Sequence, residues 1–332
     1  MPYLPPEWHP QSAVQLTWPH EKTDWKDCLQ EAIDCFTSIA REIVKRELLL
    51  IVAPDTEKVR AHLLSSGISD TNVRFFQCPT NDTWARDHAP ITLLPSTEAT
   101  ADAHILDFRF NGWGGKFPAD LDTRITGRLM DAKLLHGYHE DHNDFILEGG
   151  SIDSDGKGTI MTTNLCVLNP NRNKHLNRYE IEAELKRRLH VERIFWLKSF
   201  FIPGDDTDGH IDILARFAPN DTILYIADQG IKDELAYCRT RDNRPYRLLE
   251  LPACDVWEGR RRLPATYANF LVINGAVLYP TYDEPDTDAE AGRVIAQAFP
   301  DREIIPIDCQ VLVRQNGSLH CVTMQYPEHV VS

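Results

Sequence analysis

Apolar positions run along this chain in two alternating rhythms. From Asp27 to Lys45, residues Leu29, Ile33, Phe36, Ile39 and Ile43 recur three to four apart, the stripe of a helix with one face on a core. Leu48 to Ala53 is apolar without interruption, and its shortness predicts a buried strand. Residues 56–66 predict a second helix, ended by Gly67, which can take the left-handed conformation of a helix terminus without a Cβ clash. The alternation continues with extended segments at 73–78, 194–197, 223–226, 246–251, 270–279 and 311–313, and helices at 179–189 and 288–299. The fold class is therefore α/β. Glycine turns beside strands at Glu148–Ile152, Ile273–Val277 and Gln315–Leu319 hint at repeated β-rich units, although their spacing is irregular. The polar stretch 96–103 reads as a loop, and nothing divides residues 1–332 into separate domains.

Composition narrows the function classes. The 332 residues are 42% hydrophobic and 26% charged, ordinary for a globular chain that needs no disulfide or metal staple. A net charge of -15 disfavours nucleic acid and anionic membranes as partners and is compatible with a cationic substrate. Eight cysteines are scattered with no C-x-x-C pair, and the start Met-Pro-Tyr-Leu-Pro-Pro-Glu-Trp lacks the basic-then-apolar pattern of a signal peptide. A cytoplasmic protein with reduced thiols, most of them core filler, is expected. No apolar run is long enough to span a bilayer. The oligomeric state stays open, a homo-oligomer included.

Several motifs fall away on inspection. Asp153–Gly158 starts like a calcium loop, but Asn164 falls where a bidentate Glu is required, and the flanking alternation predicts a hairpin. Gly114-Gly115-Lys116 lacks the earlier glycine of a phosphate loop. His136, His139 and His142 read as a solvated loop rather than a metal site.

What remains is five dense segments: Asn81–Pro90, Phe110–Gly115, Leu147–Ser151, Gly204–Asp212 and Asn316–Thr323. If the fourth enters a strand, alternation puts Asp208, His210 and Asp212 on one face, and flanking carboxylates favour the charged histidine. In the fifth, neighbouring side chains on a strand would point apart, so His320 is not the base for Cys321, and His210 is the candidate. Alone, Cys321 would read as an inert core thiol. In company with carboxylates it suits one chemistry. Paired charge-assisted hydrogen bonds hold a planar guanidinium, a thiolate attacks its central carbon, and a histidine moves protons to ammonia and from water. That chemistry requires no metal or organic cofactor.

These segments, together with Pro6–Gln11, Leu16–Pro19, Leu168–Arg172 and Pro264–Phe270, resemble the agmatine deiminase family, within the wider group of guanidino-modifying enzymes. The resemblance runs nearly end to end. It implies a five-bladed α/β propeller with pseudo-fivefold symmetry and the active site on its axis. It further implies Cys321 as nucleophile, His210 as general acid then base, Glu148 as hydrogen-bond acceptor from His210 or the substrate, and Asp87 and Asp212 as grips on the guanidinium. Trp84, Trp113 and Asp206 would wall the pocket. The implied substrate is a small guanidino cation, agmatine. Two departures stand out: Gln315–His320 replaces a Gly-Gly-Gly-Asn-Ile-His run, and Ala89 replaces a glycine. The first lies beside the nucleophile, where it bears on selectivity.

Three alternatives accompany this reading. One is a peptidylarginine deiminase. Another is a non-catalytic propeller used for binding, which loss of the cysteine or histidine would have signalled. The third is a metallohydrolase built on Asp205, Asp206, Asp208, His210 and Asp212. A substrate with an α-carboxylate would need a cation in the pocket, for which Arg86 and Arg216 are the options, each equally a structural ion-pair partner.

Overall fold

The computed structural model describes residues 2–96, 102–198 and 202–332, so most of the predicted polar loop at 96–103 lies outside the described residues. Five sheets of three or more strands share one connection pattern. In each, an antiparallel pair of strands is followed by a helix and then by a strand parallel to the pair's second member. The second sheet shows it: Ile91–Leu93 pairs antiparallel with His104–Arg109, Ile125–Asp131 is helical, and Tyr138–Ile146 pairs parallel. The third uses Ile152–Ser154, Thr159–Thr163, helix Arg178–Leu189 and Arg193–Leu197. The fourth uses Ala215–Ala218, Thr222–Ile226, helix Gln229–Leu235 and Arg247–Leu251. The fifth uses Leu271–Ile273, Ala276–Thr281, helix Pro285–Ala298 and Glu303–Asp308.

The remaining sheet joins the chain's two ends. Thr323–Pro327 pairs antiparallel with Gln11–Thr17, which runs parallel to Leu48–Ala53 across helix Leu29–Ile43, and Val73–Gln77 adds an outer strand. Side-chain pattern explains these elements. The predicted stripe of helix Leu29–Ile43 buries Phe36, Ile39 and Ile43 completely, and Leu49 to Val52 are equally buried between layers. Each large aliphatic side chain so buried contributes about 1.5–3 kcal/mol. Asn177 and Glu180 form a reciprocal cap at the start of helix Arg178–Leu189, satisfying amide donors the helix cannot satisfy itself.

Three local expectations change. The predicted extended run 270–279 is two strands, turned at Asn274-Gly275, where Gly275 has φ +73°. Residues 311–313, expected as extended, belong to a short buried helix, Gln310–Val313; three apolar residues in a row do not distinguish the two periods. The Asp208–Asp212 segment is no strand. Asp208 sits at φ +67° and Ile211–Ile213 form a 3-10 turn. The hairpin predicted at Asp153–Gly158 is present. The strand Tyr138–Ile146, in place of a loop, carries His139 to Asp107 and His142 to Glu140, so these imidazoles pair with separate carboxylates. Among the described residues no helix is long and apolar enough to cross a membrane.

Candidate active site

Each of the five units contributes the segment just before its first strand. Trp84–Asp87 precede Ile91, Glu148 precedes Ile152, His210–Asp212 precede Ala215, Asn269 precedes Leu271, and Cys321 precedes Thr323. Residues scattered over more than 230 positions therefore meet at one place. There a pocket of about 90 Å³ is lined by Cys321, Trp84, Asp87, Trp113 and Asp206, with Asp24, Asp82, Asn316 and Gly317 among the remaining walls. Four carboxylates face this space, and neither lysine nor arginine lines it among the described residues.

Local backbone geometry delivers these groups. Gly112 to Gly115 all have positive φ, and Trp113 (φ 54°) is held in that run although it carries a Cβ. Its indole Nε1 donates to Asp87 Oδ2 at 2.9 Å, which ties the wall of the pocket to the carboxylate inside it. Gly150 N donates to the other oxygen, Asp87 Oδ1, at 3.1 Å. Gly317 is required by close approach, since a Cβ there would lie 2.1 Å from the Trp84 ring. In the altered loop, Asn316 Nδ2 donates to Asp206 Oδ2 at 2.9 Å, so this departure from the family pattern sits in the pocket wall.

Cys321 lies on a scaffold that sequence reasoning had not singled out. Asn269 Oδ1 accepts from His320 N (2.9 Å), Cys321 N (3.4 Å) and Cys321 Sγ (3.4 Å). The Asn269 amide donates to Asp212 Oδ2 at 3.2 Å. His320 turns away from the thiol, with Nδ1 2.7 Å from Asp212 Oδ2 and Nε2 2.7 Å from Glu7 Oε2. Glu7 is also gripped by Arg216 at 2.6 Å, and Arg216 by Asp153 at 3.2 Å. This buried ionic chain pins the loop that carries Cys321 to the N-terminal segment. Arg86 and Arg216 both belong to it, and neither reaches the pocket. His320 is thus excluded as the base because both ring nitrogens are occupied, not because of strand alternation.

His210 is almost fully buried, and neither ring nitrogen makes a hydrogen bond. Its Nδ1 lies 3.6 Å from Asp87 Oδ1. Glu148 is also buried, and Arg172 Nε donates to both its oxygens at 2.8 and 3.0 Å. Its strongest partner is therefore Arg172, a residue quoted in the resemblance but assigned no role. Asp212 has one oxygen committed to His320 and Asn269, while Oδ1 is buried without a partner. Asp208 is bonded outward, to Arg172 and Lys116. Glu148, His210 and Asp212 are buried and are not among the residues that line the pocket, next to its Asp87. Asp205, which the metallohydrolase alternative would use, has both oxygens committed to Thr207 and Gly209.

Burial and charge set the protonation states. Burial drives the Asp87 carboxyl up to about 6, against the pull of His210. Burial, with Asp24 and Asp122 nearby, drives Asp82 up to about 7. Burial also works against the His210 cation, yet Asp87, Cys166 and Asp212 hold its pKa well above the usual histidine value. For Cys321, burial together with Asp212 and Asp87 pushes the thiol well above the ordinary range. The pocket thus presents a protonated thiol among carboxylates whose mutual repulsion and burial a bound cation would relieve.

Comparison with known proteins resolves what group this is. The model of the Porphyromonas-type peptidyl-arginine deiminase family matches residues 3–327. The chain belongs to this family. Among relatives within reach is the agmatine deiminase of Pseudomonas aeruginosa (strain LESB58), 31% identical, the match covering 98% of this chain and 95% of that one. A cysteine-to-serine variant of C. jejuni agmatine deiminase, solved with substrate bound, is 36% identical over 99% of this chain and 97% of the other, with TM-score 0.89. A Porphyromonas gingivalis structure described as a candidate arginine deiminase is 46% identical, covers 100% of both chains and has TM-score 0.92. The family members share this mixed α/β fold.

Proposed function

We infer that the protein is an agmatine deiminase, a hydrolase of C–N bonds in linear amidines, converting agmatine and water to N-carbamoylputrescine and ammonia. The observation that carries this is the pocket: Cys321 among four aspartates and the Trp84 and Trp113 rings, with no lysine or arginine among the described residues of its wall to meet an α-carboxylate. Such a wall favours a dication over free arginine. The two arginines that could have met a carboxylate are consumed by Glu7 and Asp153. Relatives named as agmatine deiminases support the same assignment.

In the mechanism proposed, Asp87 and the free oxygen of Asp212 accept hydrogen bonds from the guanidinium nitrogens. The arriving cation offsets the carboxylates that hold the Cys321 proton, so the thiol ionises as substrate binds. The thiolate attacks the guanidinium carbon, forming a C–S bond. His210 donates its proton to one nitrogen, and the C–N bond breaks to release ammonia. The resulting thiouronium is attacked by water, His210 accepting one of its protons, and breakage of the C–S bond restores the thiolate and frees the ureido product as the remaining hydroxyl proton passes to solvent. Glu148, fixed by Arg172, holds negative charge beside His210.

The same reading takes the five units as blades of an α/β propeller with pseudo-fivefold symmetry. Its support is the repeated unit of strand pair, helix and parallel strand, the pairing of the last strand with the first, and the convergence of five pre-strand segments. The proposed protein is one catalytic domain acting on a free small molecule in the cytoplasm, where its eight free cysteines would stay reduced. The test is ammonia release from agmatine, free arginine and an arginine peptide, by wild type and Cys321→Ser. Release from agmatine alone, lost in the variant, is expected. Release from the peptide alone would move the substrate to protein arginine, and release that survives Cys321→Ser would refute the covalent route.

A further inference from the structure

One buried group has donors without partners. Cys166, fully buried on the turn after strand Thr159–Thr163, places its sulfur beside His210 and Glu148. One ligand atom from each of Cys166, Glu148 and His210 lies within 4.8 Å of the other two. Both His210 nitrogens lack a hydrogen bond, although the residue is 1% exposed, which is costly for a polar ring unless something uses them.

We propose that Cys166, His210 and Glu148 form an inhibitory zinc(II) site that disables the deiminase by capturing the imidazole His210 needs for proton transfer.

A thiolate, an imidazole and a carboxylate are the donor set of three-ligand zinc sites that leave a fourth position to water, and they do not suit magnesium or calcium. Zinc bonds of about 2.0–2.3 Å place tetrahedral ligands roughly 3.3–3.8 Å apart, so the three donors need close by only about 1 Å. Glu148 keeps lone pairs for a metal while it accepts from Arg172 Nε, because an ionised carboxylate has about four acceptor positions.

Charge also balances. Before binding, the His210 imidazolium and the Cys166 thiol each hold a proton that must leave: burial opposes the imidazolium but Asp87 and Asp212 outweigh it, and burial keeps the thiol protonated against the pull of Arg172 and His210. Binding releases those two protons and adds one dication, so the net charge of the buried cluster is unchanged. One S–H bond and one N–H bond are replaced by Zn–S and Zn–N bonds, and Glu148 adds a Zn–O bond from a lone pair it already holds, with no redox change. Entry is through the acidic pocket, since Asp87 lines it and stands 3.6 Å from His210 Nδ1. The inhibitory consequence rests on the role proposed above for His210; metal binding itself does not.

The experiment therefore reads binding and activity separately. Metal-free protein is titrated with zinc against a chromophoric chelator, and with cobalt(II) to detect a thiolate-to-metal charge-transfer band, using wild type, Cys166→Ser and Cys321→Ser. Expected are one equivalent bound and the cobalt band in wild type and Cys321→Ser. In Cys166→Ser, circular dichroism confirming the fold, the band disappears and affinity falls at least about 100-fold. A band that survives Cys166→Ser but vanishes in Cys321→Ser would put the metal on the nucleophile and overturn the proposal, as would absence of stoichiometric binding in wild type. Wild-type agmatine hydrolysis is expected to fall with zinc occupancy and return with chelator. Binding without loss of ammonia release would leave the site standing and strike the role given to His210.

Discussion

Replacing Gly150 with alanine tests how tightly the reacting groups are held. Gly150 lies outside the left-handed backbone region, so alanine brings no conformational strain. Its Cβ, however, would stand 2.6 Å from His210 Nδ1, 2.9 Å from Asp87 Oδ1 and 3.2 Å from Asp212 Oδ2. Ordinary contact begins near 3.4 Å, so the imidazole must retreat by roughly 0.8 Å and the Asp87 carboxylate by about 0.5 Å. Misplacement of about 1 Å in a reacting group typically costs about 100-fold in rate, or about 2.7 kcal/mol of barrier. The effect on folding should be smaller. Overpacking by one methyl costs about 1–3 kcal/mol, offset by about 0.4–1 kcal/mol from the stiffer unfolded chain. The expected signature is kcat for agmatine reduced about 100-fold with Tm lowered by only a few degrees. Gly149→Ala gives the contrast: its Cβ would strike the Arg86 carbonyl at 2.2 Å, backbone that cannot yield, so loss of folding is expected there. Ammonia-release kinetics beside thermal unfolding measure both. A folded Gly150→Ala enzyme within about threefold of wild-type kcat/KM would refute the claim that Gly150 packs against groups in their reactive positions.

Further outcomes follow from the buried charges. Arg172→Ala strands Glu148, which is 1% exposed, and should cost about 3–5 kcal/mol in urea unfolding; a loss under 1 kcal/mol would show that Glu148 finds another partner or a proton. Glu7→Ala takes one carboxylate from Arg216 and from His320, which keep Asp153 and Asp212, and should cost less than the about 3–5 kcal/mol of a fully stranded buried charge, with kcat lowered in the protein that remains folded; unchanged kcat would mean the ionic chain does not position Cys321. Asp87 and Asp82, at about 6 and about 7, titrate above the unfolded value of 3.8, so the folded state binds more protons and their contribution to stability falls as pH rises through 6–7. A bound dication reverses this preference. Agmatine binding to Cys321→Ser should therefore release protons below about pH 7, seen as a calorimetric enthalpy that changes with the buffer's ionisation enthalpy. A buffer-independent enthalpy would exclude that coupling.

The sequence by itself determined the local elements and the chemical inventory. Helical and strand periods are short-range properties, and helix Leu29–Ile43 and strand Leu48–Ala53 follow the predicted pattern because burial of one face or both decides their composition. The unusual density of Asp, Gly, Trp, His and Cys in five segments marked Asp87, Glu148, His210, Asp212 and Cys321 as candidates before any fold was known. Partner choice was not legible. Arg172, Asn269, Glu7 and Cys166 lie within or beside motifs the chain displays, but a salt bridge or hydrogen bond across 24 to 313 positions leaves no periodic trace. Only the tertiary structure brought five pre-strand turns together, separated pocket-lining Asp87 and Asp206 from buried Glu148 and Asp212, and gave both nitrogens of His320 to Glu7 and Asp212. The physical reason is that pattern along a chain records which face is buried, whereas the neighbour it is buried against depends on how the sheets pack.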